Sequence, residues 1–430
     1  MSARNQSKGP CVQNPTAQPP LSRPSTPGLS DLPPELMAEI ASNLDLMDLK
    51  NLRLVSHYLN ESTNYVFVKE AFETLCTDFS TNSLDRILNI SDRPDIAIHV
   101  KQLHIWIPFI SLAILTQGRF TDGGLPWRRD YDIGRLVFPQ RKARLWEDAL
   151  AGLVNCSCFR LERPRSRSAF DDENHILSLT DNHVIMMNLL ASGRVGVEKY
   201  SLNWVRGDGK VYKHWLRMYE LDRRHLGSPT FAKAWANLRE FTHNMERDCE
   251  AEAEYIVDLL SLAPKLQSLD LGLPSKEAEA TDIVIARLGS SKIPFRLQKL
   301  SLRRGICSFE HALSKLLKCH SATLTSLKLE DLCLTGDALL GVFQFFHEHR
   351  FPAVEDFNFN GLADRGGPDG ATRVVRLTTF TQGYAKRIIE RTGGLLVYYP
   401  QPGPRAILYY SGPGGGEVLA SLHEQVAMRP

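Results

Sequence analysis

Five copies of one short pattern restrict what this chain can fold into more than any other feature of its sequence. They read Leu238-x-x-Phe241-x-His243, Leu266-x-x-Leu269-x-Leu271, Leu297-x-x-Leu300-x-Leu302, Leu324-x-x-Leu327-x-Leu329 and Val354-x-x-Phe357-x-Phe359. Their first positions lie 28, 31, 27 and 30 residues apart. Alternate residues of a strand face the same side, so the last two positions of each copy point inward together. Between copies the period changes to that of a helix: Tyr255, Ile256, Leu259 and Leu260 share one face of 251–262, and 309–317 and 337–346 repeat the arrangement. A single strand and helix cannot bury its own apolar side, so each unit must be covered by its neighbours. The expected result is a stack of units, with parallel strands on one surface and helices on the other. Looser copies at Val100-x-x-Leu103-x-Ile105, Cys156-x-x-Phe159-x-Leu161 and Val197-x-x-Tyr200-x-Leu202 extend the stack upstream at longer intervals, which implies insertions.

This array resembles a leucine-rich-repeat solenoid, and its fold class is accordingly α/β. The intervals vary and the Asn or Cys ladder after the strand is mostly absent, so the expected form is an irregular horseshoe with parallel strands on the concave face and helices outside. The residues between the inward positions then face the concave surface. Its candidate binding residues are His104, Trp106, Asn203, Thr242, Asp270, Lys299, Ser301, Arg303, Lys328 and Asn358. Their mixed polarity suits a protein or peptide ligand, with Lys299 and Arg303 able to pair an acidic group. Trp106 is the best single anchor, because aromatic residues dominate interface hot spots. A merely solvated sheet face is the alternative reading for each of them.

Ahead of the array lies a stretch of different character. Asp31 can cap a helix, and Pro33-Pro34 fit a helix start, where a missing N–H costs nothing. Leu36, Met37, Ile40, Ala41 and Leu44 follow on one helical face. Asp48 can cap a second helix bearing Leu49, Leu52 and Val55, and Ser56 a third beginning at His57. Three short helices bury too little to stand alone. The run Leu32-Pro33-Pro34-Glu35-Leu36 through Val55-Ser56 resembles an F-box, with His57-Tyr58 where basic residues are frequent and Leu59 where Trp is common. The resemblance implies docking on a Skp-type adaptor, and through it a cullin, by way of Leu32, Pro33, Pro34, Leu36, Ile40, Leu49, Leu52 and Val55.

Composition narrows the remaining classes. With 51 basic and 49 acidic residues the net charge is +2, which gives no global field for nucleic acid or an anionic membrane. No run of about eighteen apolar residues predicts a membrane span. The eight cysteines are too sparse for a disulfide framework and read as reduced thiols of an intracellular protein. Cys156-x-Cys158 lacks the spacer and second ligand pair of a zinc site, and Cys156 takes an inward strand position. His347-Glu348-His349 is too closely spaced for the metalloprotease motif, and Gly412-Pro413-Gly414-Gly415-Gly416 lacks the Lys and hydroxyl of a phosphate loop. No nucleophile elbow occurs. The expectation is a chain with no catalytic residue, metal or cofactor.

The resulting map is a disordered tail at 1–29, a helical module at 30–72, and an irregular solenoid at 73–362 with insertions near 117–142 and 162–172. A C-terminal cap or hairpin with a flexible tail fills 363–430. Together the two resemblances imply a substrate-recognition adaptor of a ubiquitin ligase, joining a Skp adaptor to an unknown protein substrate and carrying out no chemistry itself. The alternative is a non-catalytic repeat scaffold whose N-terminal helices only cap the solenoid.

Overall fold

Proline loses nothing at the first turn of a helix, and Pro34 indeed opens α1 (Pro34–Ser42). Asp31 lies in a preceding 3-10 turn, Leu29–Asp31, and does not cap α1. The computed structural model describes residues 28–106, 127–130, 135–137, 139–162, 179–203, 216, 218, 221, 223–245, 249–274, 278–290, 292–335, 338–365, 372–373, 395–398 and 407–427. It divides into two units, Met1–Ala71 and Phe72–Pro430. The expected tail and most of the two expected insertions lie outside the described residues.

The first unit is built from α1, α2 (Leu46–Val55), α3 (His57–Ser62) and α4 (Asn64–Phe72). That is one helix more than the pattern predicts, because the apolar group from Tyr65 to Phe72 is itself helical. Asp45, not Asp48, caps α2: its carboxylate accepts from the backbone N–H groups of Met47 and Asp48, each at 2.8 Å. Ser56 caps α3 as expected, accepting from Leu59 N–H. The small core holds Met37, Ala41, Leu49, Leu59 and Val66, with Leu44 and Phe67 packed against it.

In the second unit the inward positions do what their spacing requires. An eleven-stranded sheet contains β1 (Thr74–Thr77), β2 (Gln102–Trp106), β3 (Cys158–Glu162), β4 (Lys199–Asn203), β5 (Glu240–Asn244), β6 (Ser268–Gly272), β7 (Lys299–Arg303), β8 (Ser326–Glu330) and β9 (Asp356–Asn360), parallel and adjacent in chain order. The paired inward residues of β2 to β9, from Leu103 and Ile105 to Phe357 and Phe359, are all buried. Helices return the chain between strands, among them α5 (Thr81–Ser91), α6 (Pro94–Ala97), α7 (Gln140–Gly152), α8 (Leu179–Leu190), α9 (Pro229–Trp235), α10 (Glu250–Ser261), α11 (Glu279–Leu288), α12 (Ser314–His320) and α13 (Ala338–Glu348). The stretch expected as one helix at 309–317 is a π-turn, Phe309–Leu313, running into α12. The sheet starts earlier than the repeats, since β1 precedes the first recognisable copy.

After β5, β6, β7 and β8 the chain leaves the sheet with one shared backbone hydrogen bond. The N–H of the residue after the strand donates to the last carbonyl of the next strand: Met245 to Gly272 and Leu273 to Arg303 at 2.7 Å, Arg304 to Glu330 and Asp331 to Asn360 at 2.6 Å. In the last three turns that residue is left-handed, with φ of 62° at Arg304, 54° at Asp331 and 68° at Gly361. The chain then enters a second, short parallel ladder of Ile306–Ser308, Cys333–Thr335 and Ala363–Arg365. The turns therefore replace the side-chain ladder that the sequence lacks with backbone hydrogen bonds.

Toward the C-terminus, where a cap or hairpin and a flexible tail were expected, residues 395–398 and 407–427 are described. β10 (Leu395–Tyr398) and β11 (Ile407–Ser411) form the expected hairpin, and β11 adds antiparallel to β9. After it the glycine run starts α14 (Gly415–Ala427), which buries Val418, Leu419 and Leu422. A Cβ on Gly416 would lie 2.0 Å from the carbonyl oxygen of Phe351, so those glycines serve close approach and not flexibility.

Candidate functional site

The N-terminal module turns a large share of its apolar side chains outward. Leu36 and Ile40 stand one turn apart on α1, and on α2 Met47 and Leu54 lie two turns apart on one face with Val55 beside them at the helix end. Leu36 is 46% exposed, Ile40 38%, Met47 63%, Leu54 85% and Val55 72%. The start of α1 is tied to α3, because Tyr58 Oη donates to the carbonyl oxygen of Leu32. The Arg53 guanidinium lies 4.0 Å above the Phe67 ring and donates to Asn64, holding α2 against α4. The result is a braced set of helices with apolar side chains on its outer surface.

The second surface is the open face of the sheet. In-register pairing aligns its outward residues in rows that cross the strands, one running through His104, Arg160, Ser201, Thr242, Asp270, Ser301, Lys328 and Asn358. A groove of about 1100 Å³ lies over the N-terminal halves of β1 to β5. Two of its lysines are paired, Lys101 with Glu73 and Lys199 with Glu240, each at 2.8 Å. The half-buried Cys158 thiol in this groove is pushed up in pKa by burial, against thiolate formation. Further along, Arg303 grips Asp270 with two hydrogen bonds, Nε to Oδ1 at 2.9 Å and Nη2 to Oδ2 at 3.0 Å. One edge of its guanidinium is thus engaged within the chain, beside the expectation that Arg303 pairs an acidic group.

Beneath the groove is a polar core that the repeat pattern does not announce. His183 on α8 has one ring nitrogen 2.7 Å from Tyr200 Oη and the other 2.7 Å from Tyr255 Oη. Tyr255 also meets His225 at 3.2 Å, and His243 meets Glu252 at 2.9 Å. Burial pushes the His183 imidazolium well below its usual range and both tyrosines above theirs. His183 is thereby held neutral, donating through one nitrogen and accepting through the other. These groups are closed off from solvent, so they pin α8, β4 and α10 together. Only the unusual His243 at an inward Leu position could have signalled them. Among the described residues no group of three or more His, Cys, Asp or Glu could hold a metal ion.

Residues 29–67 match the family model of the F-box domain. No curated protein matches the chain. In this F-box region Pro33, Pro34, Leu36, Ile40 and Val55 are exposed, and Leu32 and Leu52 are half-buried. Leu49 is fully buried against Ala41 and Val66, so it belongs to the F-box core and not to a contact surface. Sequence reasoning missed Met47, Leu54 and Tyr65; the seven-residue step from Met47 to Leu54, two turns of one helix, was the available signal. The substitutions that depart from the F-box pattern have structural uses here, Tyr58 as the tie to Leu32 and Leu59 as a core residue.

On the sheet, His104, Trp106, Thr242, Asp270, Lys299, Ser301, Arg303, Lys328 and Asn358 share the open face, and Trp106 is 40% exposed. Asn203 falls on β4, with its side chain outside the described residues. No helix among the described residues is long and apolar enough to cross a membrane.

Proposed function

We propose that this chain is the substrate-recognition subunit of a Skp, cullin and F-box ubiquitin ligase inside the cell. The F-box docks on a Skp-type adaptor, and a leucine-rich-repeat-like solenoid receives a protein substrate on its open face. The chain performs no chemistry. It acts by holding a lysine-bearing substrate at high effective concentration near an activated ubiquitin carried elsewhere on the cullin.

The observation that carries this reading is the F-box match at 29–67 on helices whose apolar residues Leu36, Ile40, Met47, Leu54 and Val55 face outward. The test is co-purification of the full chain with a recombinant Skp-type adaptor. Wild type retains the adaptor, and Leu36→Asp combined with Leu54→Asp loses it. Both sites are exposed, so the variant keeps its circular-dichroism spectrum and melting temperature. Failure of the wild type to retain any adaptor would overturn the reading.

A further inference from the structure

Two cations on the open face of the sheet are already committed: Lys199 to Glu240, and Arg303 to Asp270. Lys299 on β7 and Lys328 on β8 are not. Both are exposed, and neither has an ion pair or side-chain hydrogen bond among the described residues. Lys299 lies beside Ser268 and Ser326 in one row, and Lys328 beside Ser301 in the next. Strand spacing of about 4.8 Å and a two-residue rise of about 6.6 Å place these five side chains on one small patch. The three hydroxyls are likewise without an intramolecular partner among the described residues. The patch is therefore rich in unspent donors. Its acidic neighbour Asp270 is occupied by Arg303, and Glu330 accepts from Asn358 at 3.4 Å. Asp356, beside Ser326 on β9, borders the patch as its negative edge.

We propose that Lys299, Lys328 and the hydroxyls of Ser268, Ser301 and Ser326 form a docking site for an acidic segment of the protein partner. The segment places Asp or Glu carboxylates over β7 and β8 and a basic residue over Asp356. A carboxylate supplies only acceptors, which complements a patch that supplies mainly donors. Lysine suits such a site as a flexible point charge, whereas the rigid Arg303 fork is used to brace the sheet. This rests on the reading that the open face receives a partner.

The test uses the full chain and three series of synthetic peptides: an Asp/Glu block followed by Lys, the same peptides with Asn/Gln in the block, and the same with phosphoserine. The carboxylate series binds and weakens with added salt. The Asn/Gln series does not bind. Lys299→Gln with Lys328→Gln weakens the carboxylate series by about tenfold or more, the loss expected for charge-assisted hydrogen bonds. Lys299→Glu with Lys328→Glu reverses the preference toward peptides with Lys in the block. Equal binding of the neutral series, binding of the phosphoserine series alone, or no binding in any series would overturn the proposal. Carboxylate binding that survives the lysine changes but is lost in Thr242→Arg would overturn it while leaving the open-face reading intact. An unchanged circular-dichroism spectrum and melting temperature in every variant reports that the sheet is folded, independently of adaptor binding.

Discussion

Asp331 and Gly361 occupy the same place in successive turns, yet only one is suited to it. A left-handed residue with a Cβ costs roughly 1 kcal/mol relative to glycine. Asp331→Gly should therefore raise stability by up to about 1 kcal/mol, read as a higher denaturant midpoint. Gly361→Ala should lower it by more, since its Cβ would also meet Asp331 Oδ1 at 2.5 Å. Equal effects of the two changes would refute the assignment. His320 gives a second residue-level prediction. It is buried, stacks on Phe295, and accepts the Leu297 N–H through Nδ1, so protonation both charges a desolvated ring and removes an acceptor. Burial is the main cause that lowers its pKa to about 4. Because the folded value lies below the unfolded one of about 6.5, its contribution is intact above pH 6.5 and is lost as pH falls toward 4. Between pH 7 and pH 5 the loss is about 2 kcal/mol, and His320→Gln should flatten the stability profile by that amount. An unchanged pH slope would exclude it.

At the scale of elements, legibility followed the size of the apolar signal. Strands with two inward residues after a spaced Leu were readable from Val100 to Phe359, because burial leaves no other use for that spacing. β1 was not, since it offers only Leu75 and Thr77 to the interior. The second ladder escaped because three-residue strands such as Cys333–Thr335 carry no periodicity. Caps were half legible: Ser56 stands alone before its helix, whereas Asp45 and Asp48 compete and only geometry decides. The F-box stripe was partly readable, but the interior role of Leu49 was not, because α2 is apolar on several sides. The glycine run gave no sign of the helix it starts, because glycine leaves no pattern when its purpose is close approach. Gly416→Val should consequently detach α14 from the backbone of Phe351, lowering the melting temperature by several degrees. It should also raise hydrogen exchange in 415–427 while leaving β4 to β6 protected. Uniform loss of protection would argue that α14 is not a separable element.

For the second unit as a whole, what matters is that β1 to β9 neighbour one another in chain order. Stability in such a stack is held largely between adjacent units, so damage near one end need not reach the other. The hairpin of β10 and β11 has a further consequence here. It occupies the backbone N–H and C=O groups that β9 would otherwise present along its free side. Removing residues 395–430 should leave that edge open to another copy of itself. The shortened protein is expected to form concentration-dependent assemblies in light scattering, and a proline placed in β9 should suppress them. The C-terminal hairpin thus acts as a guard against self-association, keeping a long parallel sheet from becoming a template.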